Sequence, residues 1–539
     1  MSTEAESKSN AAHVEYSSQG ADQPDAALEF CEREKQQSVW QAMQTNQRVL
    51  LFAIVPFLCG MCYGYDTVAS SATLAMPAFQ ITFGAVEYST GSYYIPSLWN
   101  SLWTAFSNLG QAIGSFAMGF LVKRVGQRYA LVFYCFISAA GVAVQYTATT
   151  RWALLIGKIV VGFSVGGILA GGTSYASDIA PLRLRGPILQ GLVFFTVAMQ
   201  GTALGMIRGF VPDESDFAWK MVFAIQWIVA GLPLLAIFIP ESPVWLLSKG
   251  KCEAARQSLT QLYGTDSSVE LRFQLLQQTL DEEADSAITS EATFRECFRG
   301  YNRKRTLTVC MMMFGMGLIG VAFLNQNTYF LLSLGLHATQ AFDIGIGGFF
   351  LACAALAAGW LYTDTIGRRR LWLIGLVGNI VGMGTIGGLG FADSTGSTWA
   401  VAVLMNLLIP WQLFTCTGVA WTMAPELSSY RLRQHTQSLS FLVQAVSSYI
   451  FHMIVPYLYN TGSADLGAKT GFVFAGLSAC LLIVSWFLIP DTSGLLVTQI
   501  DAAYREGVAP RDFAKWAESD SLSTTKSNEK ASAVVQTSV

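Results

Sequence analysis

The two halves of the chain repeat one pattern of motifs. In the first half, Gly119-Phe-Leu-Val-Lys-Arg-Val-Gly126-Gln-Arg precedes Asp178-Ile-Ala-Pro-Leu-Arg183-Leu-Arg185. In the second half, Gly359-Trp-Leu-Tyr-Thr-Asp364-Thr-Ile-Gly367-Arg-Arg-Arg precedes Glu426-Leu-Ser-Ser-Tyr-Arg431-Leu-Arg433. Each half therefore carries a short basic turn, two hydrophobic stretches, and an acid followed by paired arginines. Such a repeat in a hydrophobic chain is typical of two related helix bundles with a binding site between them.

The composition predicts a membrane protein. The chain is 52% apolar and 13% charged, whereas about 25% of the residues in a soluble protein are charged. The net charge of −3 gives no indication of a nucleic-acid partner. Most of the cysteines lie in apolar stretches, which favours packing over disulfides or metal ligation. Walker A loops, nucleophile elbows and metal-ligand spacings are not found, so the sequence predicts no enzyme, no metal and no cofactor.

Apolar runs of about 20 residues, the length needed to cross the hydrocarbon core, predict twelve transmembrane helices. They fall at 48–70, 98–121, 129–147, 152–177, 187–209, 219–239, 304–332, 341–362, 371–391, 398–425, 434–458 and 470–489. We therefore expect an all-α membrane protein made of two pseudo-symmetric six-helix bundles, 48–239 and 304–490. A linker at 240–303 joins them, and tails at 1–47 and 491–539 flank them.

Basic residues predict the orientation. The short loops after even-numbered spans are rich in Lys and Arg, whereas the other side carries only Arg151, Arg208, Lys220 and Lys469. The positive-inside rule then places both termini and the linker in the cytoplasm. The polar N-terminal tail and the chain from about 517 are predicted to be disordered. Within the linker, Val269, Phe273, Leu276 and Leu280 recur at helical spacing, which predicts an amphipathic helix.

Several strings resemble the sugar porter family of the major facilitator superfamily. They are Gly64-Tyr-Asp66-Thr, Tyr175-Ala-Ser-Asp178-Ile-Ala-Pro181, Pro240-Glu-Ser-Pro-Val-Trp-Leu246, Gly367-Arg-Arg and Pro490-Asp-Thr-Ser-Gly494. Two more, Gly467-Ala-Lys-Thr-Gly471 and Glu506-Gly-Val-Ala-Pro-Arg-Asp-Phe513, are similar to fungal α-glucoside (maltose-type) proton symporters. The resemblance covers roughly residues 48–515. It implies the major facilitator fold, a monomer in the plasma membrane, and proton-coupled uptake of a sugar-like solute.

Two charged residues lie inside predicted spans. Counting about 1.5 Å per residue, Asp66 in span 1 and Lys158 in span 4 both lie roughly 6–9 Å below the outer surface. A charge inside a span is costly and usually faces the bundle interior with a partner. The family resemblance implies that Asp66 is the proton site and Lys158 its partner. The alternative is that Asp66 lies in water at the helix end while Lys158 extends outward.

Charges at the predicted inner helix ends form a second set. The resemblance implies that they pair across the halves as a cytoplasmic gate; the alternative is that they only mark topology. The gate set is Asp178, Arg183, Arg185, Asp364, Arg368, Arg369, Glu426, Arg431 and Arg433. The first-half motif departs from the family at Lys123 and Gln127, so we expect its latch to be the weaker one.

The substrate positions of hexose porters are largely replaced. Val193, Gly315, Met316 and Val321 stand where hexose porters carry Gln or Asn, while the inner Trp of span 10 is kept as Trp421. A sugar needs hydrogen bonds that apolar walls do not supply. The candidate substrate-binding residues are Gln200, Asn325, Gln326, Trp421 and Gln444. For any one of them, a hydrogen bond between helices is the alternative role.

Three functions remain open from the sequence. The first is proton-coupled uptake of a sugar or sugar-like solute by alternating access. The second is export of a secondary metabolite by the same fold, which the apolar substitutions favour. The third is a nutrient sensor that does not transport, although the short C-terminal tail argues against it.

Overall fold

The computed structural model describes residues 37–86, 93–181, 183–264, 269–277, 294–392, 394–428, 432–460, 463–492, 497–513 and 516. Helices occupy all twelve predicted spans. Spans 1–6 comprise Ile54–Ala72, Ser97–Val125, Gln127–Tyr146, Arg151–Ile179, Arg185–Phe210 and Asp216–Gly231. Span 7 comprises Asn302–Leu318, Val321–Asn325 and Asn327–Ser333. Spans 8–12 comprise Ala338–Ile366, Arg368–Leu389, Thr395–Leu427 (with a π-turn at Leu413–Thr417), Arg433–Tyr459 and Thr470–Leu488.

Small residues bring the central helices of the first bundle together. A Cβ atom added at Gly114 of span 2 would lie 1.8 Å from the carbonyl oxygen of Phe163 in span 4. One added at Gly166 of span 4 would lie 2.2 Å from the carbonyl oxygen of Gln111. Lipid gives helices no hydrophobic reason to associate, so such close backbone contact supplies much of their attraction. It also fixes span 4, which carries Lys158, against span 2.

Span 7 is not the continuous helix predicted at 304–332. It breaks at Gly320, whose φ of 87° is left-handed, and again at Gln326. Eleven of the described helices are long and apolar enough to cross a membrane, and the pieces of span 7 are each too short to count among them. Broken helices at membrane depth are tolerated where they line a cavity or are buried in protein. The break therefore indicates that the middle of span 7 lines a cavity or is buried in protein.

Other elements also depart from the sequence expectation. A short antiparallel pair, Ala85–Val86 with Tyr93–Tyr94, lies in the loop after span 1, so the fold is not purely helical. The end of the N-terminal tail forms the helix Val39–Thr45, which begins with a capping box at Ser38. Residues 1–36 and 517–539 lie outside the described part of the chain.

The linker carries short helices under the first bundle. Residues 269–277 are helical, and Val269 and Phe273 pack with Leu246 and Leu259 in one small apolar cluster. The amphipathic helix predicted in the linker is therefore present at residues 269–277, and its apolar face is buried. Leu280, the last residue of the predicted pattern, lies outside the described residues.

The apolar core shows which ends of the bundles meet. We call the side with the odd-numbered loops the outer side, following the charge bias of the sequence. One continuous core joins the first bundle to the outer part of the second, including Phe323, Phe330 and Phe342. The inner part of the second bundle forms a separate core around Trp372 and Met423. The halves are therefore packed together on the outer side.

Candidate proton and substrate site

Asp66 is buried in the first bundle and held by two amides. Its side chain is 2% exposed. Gln226 of span 6 donates from Nε2 to Oδ1 at 2.8 Å, and Gln111 of span 2 donates from Nε2 to Oδ2 at 3.4 Å. The alternative in which Asp66 lies in water at the helix end is therefore wrong.

Lys158 is fully buried near Asp66 but is not bonded to it. Its Nζ donates to the carbonyl oxygen of Ser70 at 3.5 Å and lies 5.6 Å from the ring centre of Phe223. The ion pairs found among the described residues do not include Asp66 with Lys158. Ser70 lies one helical turn from Asp66 on span 1, so Lys158 is held near the carboxylate without a direct bond to it. Matching depth was predicted correctly, whereas direct pairing is not seen.

Sequence reasoning missed Gln226 and Gln111. Each is a single polar residue in an apolar span, which usually indicates only a hydrogen bond between helices. The available signal was depth in the membrane. Spans 2 and 6 both pass the level of Asp66, and a buried carboxylate needs hydrogen-bond donors.

Gln200 lies beside the same site. Its Nε2 donates to the hydroxyl of Thr67 at 3.0 Å, and Thr67 follows Asp66 in the chain. A candidate substrate residue of span 5 is therefore linked to the residue next to the candidate proton site. A solute that displaced this hydrogen bond would act directly on the helix turn that carries Asp66.

The other candidate substrate residues lie in the second bundle. Gln326 is 1% exposed and accepts from the hydroxyl of Tyr459 at 2.6 Å, while its Nε2 has no partner among the described residues. Asn325, beside it at the break of span 7, is exposed. Trp421 is 42% exposed and packs against Phe441, with ring centres 5.3 Å apart. Gln444 is partly exposed on span 11. These residues are spread from the break of span 7 to the inner part of span 10, so the structure does not gather them at one point.

One expectation about the substrate cavity is not met. A Cβ atom at Gly315 would lie 2.8 Å from Leu481 of span 12, and Met316 is buried in the inner core of the second bundle. These two positions therefore face their own bundle rather than an opening. The first helix of span 7 packs against spans 10, 11 and 12 of the second bundle.

Hydrogen bonds close the outer side between the halves. Tyr459 of span 11 accepts from Asn100 of span 2 at 3.1 Å. The main-chain amide of Ile95 donates to the Tyr329 hydroxyl at 3.1 Å, and Asn460 donates to the carbonyl oxygen of Ile95 at 2.7 Å. We call this set the outer seal; its members are Ile95, Ser97, Asn100, Ser101, Tyr329, Tyr459, Asn460 and Ser463. One ion pair, Arg208 with Asp343 at 2.9 Å, also joins the halves on this side.

The inner charges of the first bundle are held within that bundle. Asp178 accepts from the hydroxyl of Ser242 at 2.7 Å, and Arg185 donates to the hydroxyl of Ser177. Arg183 is exposed.

The remaining predicted gate residues belong to the second bundle, and the structure describes the side chains of only some of them. Arg369 donates from Nη2 to the carbonyl oxygen of Trp486 at 2.9 Å, within the second bundle. Arg368, which begins span 9, is half-buried. The side chains of Asp364, Glu426 and Arg433, and all of Arg431, lie outside the described residues.

The Pro240-Glu-Ser-Pro string, which resembles the family, caps a neighbouring helix. The carboxylate of Glu241, from Pro240-Glu-Ser-Pro, accepts from the main-chain amide of Gln127 at 2.8 Å. It thereby caps the N-terminus of span 3, where helix amides lack partners. Gly126, which precedes that helix, has φ 94°, and a Cβ there would lie 2.5 Å from the Glu241 carboxylate. Gly126 and the Pro240-Glu-Ser-Pro string therefore form a single cap on span 3.

The described structure is a two-bundle helical fold with a buried carboxylate held between polar side chains. Residues 52–504 match the family model described as "Sugar (and other) transporter". The chain belongs to this family of multi-pass membrane transporters of the major facilitator type, and it is not an enzyme.

Several relatives support this assignment. The chain is 48% identical over 512 residues to "MFS transporter fmqE" of Aspergillus fumigatus, covering 93% of this chain and 96% of that protein. It is 28% identical over 499 residues to "General alpha-glucoside permease" of Saccharomyces cerevisiae, covering 91% of this chain and 80% of that protein.

The fold also matches a solved transporter. The inward-open structure of the xylose transporter XylE from E. coli superposes with a TM-score of 0.67 at 19% identity, covering 84% of this chain and 99% of that one. At this identity the likeness concerns the fold alone, and it confirms the predicted twelve-helix architecture.

Proposed function

We propose that the protein imports a sugar or sugar-like solute of the α-glucoside type, together with protons, across the plasma membrane. Both termini lie in the cytoplasm, and one monomer is the transporting unit. The halves alternate between the outer-closed arrangement and one in which the outer seal parts. Similarity to α-glucoside permeases supports the solute class, and family membership supports transport.

The observation that carries the proposal is the link between Asp66 and Gln200. Asp66 is the proton site, and its chain neighbour Thr67 accepts from Gln200 at 3.0 Å. Solute binding at Gln200 and proton binding at Asp66 thus act on one turn of span 1. Because the two sites share this turn, solute binding and proton binding can influence each other directly, without a conformational change elsewhere in the protein.

The substrate contacts proposed in the second bundle are Asn325, Gln326, Trp421 and Gln444. Two of them have unused polar capacity: Nε2 of Gln326 has no partner among the described residues, and Asn325 is exposed. Trp421 offers a ring face, on which the apolar face of a sugar packs well. Together these favour a solute larger than a hexose.

The test is uptake of radiolabelled maltose in a yeast strain that lacks its own α-glucoside transporters. Wild-type protein is expected to accumulate maltose from an acidic medium and to lose accumulation when a protonophore is added. Asp66→Asn keeps the side-chain volume but cannot release a proton, so it should abolish accumulation and retain some downhill exchange. Asp213→Asn, an exposed carboxylate in the loop after span 5, is the matched control.

Each contrary outcome has a distinct meaning. Full accumulation by the Asp66→Asn variant under an imposed pH gradient would refute the proton role. Efflux of a ring-bearing metabolite without maltose uptake would support the export alternative. Folded protein at the cell surface that moves neither solute would support the sensor alternative.

A further inference from the structure

The closest partner of the Asp66 carboxylate is neutral. Gln226 approaches Oδ1 to 2.8 Å, whereas Lys158 bonds a main-chain carbonyl instead. An amide donor stabilises a carboxylate relative to the protonated acid. Gln226 therefore acts on the protonation equilibrium of Asp66 more directly than the lysine does.

Span 6 is fixed against span 1 at this point. The hydroxyl of Tyr65 donates to the carbonyl oxygen of Val222 at 2.7 Å. Gln226 lies one turn further along span 6, and Phe223 on the same turn faces the Lys158 ammonium. One turn of span 6 thus holds both the carboxylate and the ammonium in place.

The amide of Gln226 is only half used. Gln226 is 1% exposed, and its Oε1 has no hydrogen-bond partner among the described residues. An amide carries donors and an acceptor on one rotatable group. When Asp66 is charged the Nε2 donates to it, and after a rotation of the amide the Oε1 accepts the O–H of the protonated acid.

We propose that Gln226 is a positioning residue that sets the pH at which Asp66 exchanges its proton. It serves the charged form as a donor and the protonated form as an acceptor. This inference rests on the proposed role of Asp66 as the proton site.

The titratable groups that face Asp66 in the described structure are Lys158 of span 4 and Cys62 and Tyr63 of its own helix. Spans 2 and 6 contribute the neutral amides Gln111 and Gln226. A substitution of Gln226 by an apolar residue therefore removes a dipole and leaves every charge around Asp66 in place.

The experiment is an infrared pH titration of the full-length protein in lipid nanodiscs, with no solute present. The carboxylic-acid C=O band of Asp66 is assigned as the band that Asp66→Asn removes. In Gln226→Leu its titration midpoint should move upward by about one pH unit, because the charged form loses a stronger hydrogen bond than the protonated form does. Gln226→Glu should give two coupled titration steps, because adjacent carboxyls cannot both ionise freely.

Gln412→Leu is the matched control. Gln412 is a buried amide in span 10 that donates to Oδ1 of Asn379 at 2.7 Å, so it has the same type of contact without a titratable partner. Its substitution should leave the Asp66 band unmoved. Thermal unfolding of each variant confirms that it is folded, and Gln226→Glu retains the side-chain size if the leucine variant does not fold.

The proposal is overturned if folded Gln226→Leu titrates at the wild-type midpoint, if Gln226→Glu shows one unshifted step, or if Gln412→Leu shifts the band equally. The result also separates the two proposals. A shifted band together with full maltose accumulation by Asp66→Asn would remove the proton-coupling function and leave the positioning role intact.

Discussion

Tyr459 bridges the two halves at the centre of the outer seal, so Tyr459→Phe should open it. Its hydroxyl accepts from Asn100 at 3.1 Å and donates to Gln326 at 2.6 Å, and all three residues are buried. Phenylalanine keeps the ring packing against Phe323 and Phe330 but leaves both amides without this partner. Only the Asn100 bond crosses between the halves, so at about 1 kcal/mol of net stabilisation per hydrogen bond the outer-closed state should lose about 1 kcal/mol relative to the outward-open state. That is roughly a 5-fold shift toward the outward-open state.

The measurement is a distance distribution between spin labels placed on the outer ends of spans 2 and 11 in nanodiscs. Tyr134→Phe is the control, because it also removes a buried hydroxyl bond, to the carbonyl oxygen of Gly114 at 2.9 Å, but within the first bundle. We expect a new long-distance population in Tyr459→Phe only. Identical distributions in wild type and Tyr459→Phe, or equal opening in Tyr134→Phe, would refute the reasoning.

Three further outcomes are expected. Lys158→Gln removes the positive charge near Asp66, so Asp66 should hold its proton to higher pH and the pH optimum of uptake should move upward; a profile that stays in place would exclude electrostatic tuning by the lysine. Glucose should compete poorly with maltose, since Val193 and Val321 offer no hydrogen bonds and each unpaired hydroxyl costs roughly 1–3 kcal/mol; equal displacement by millimolar glucose would contradict this. Glu241→Ala should lower the free energy of unfolding by about 1 kcal/mol through loss of the cap on span 3, and an unchanged melting temperature would show that the cap contributes nothing.

Depth in the membrane could be predicted from the sequence, but rotation about each helix axis could not. Residue counting placed Asp66 and Lys158 at one level because each residue adds a fixed rise. Which face each side chain takes depends on packing, and packing turns Lys158 toward the Ser70 carbonyl. The same limit explains Gly315, which aligns with a cavity position in the family yet lies against Leu481.

Single residues with a special role inside apolar spans could not be predicted from the sequence either. Hydropathy detects a span from some twenty residues together, so it is insensitive to one glutamine such as Gln226 or one glycine such as Gly320. Gly320 breaks span 7 through its left-handed backbone, which an apolar run of this length does not reveal. By contrast, the Pro240-Glu-Ser-Pro string and Gly126 were found easily because several unusual residues occur together.

The outer seal consists of neutral groups: phenols, amides, hydroxyls and main-chain atoms. The ion pair that accompanies it among the described residues, Arg208 with Asp343, has side chains that are 31% and 58% exposed, and exposed pairs of this kind contribute little. Closure on this side should therefore hold equally well in dilute or saline surroundings and across a wide range of external acidity. A proton gradient across the membrane should therefore leave the outer seal closed.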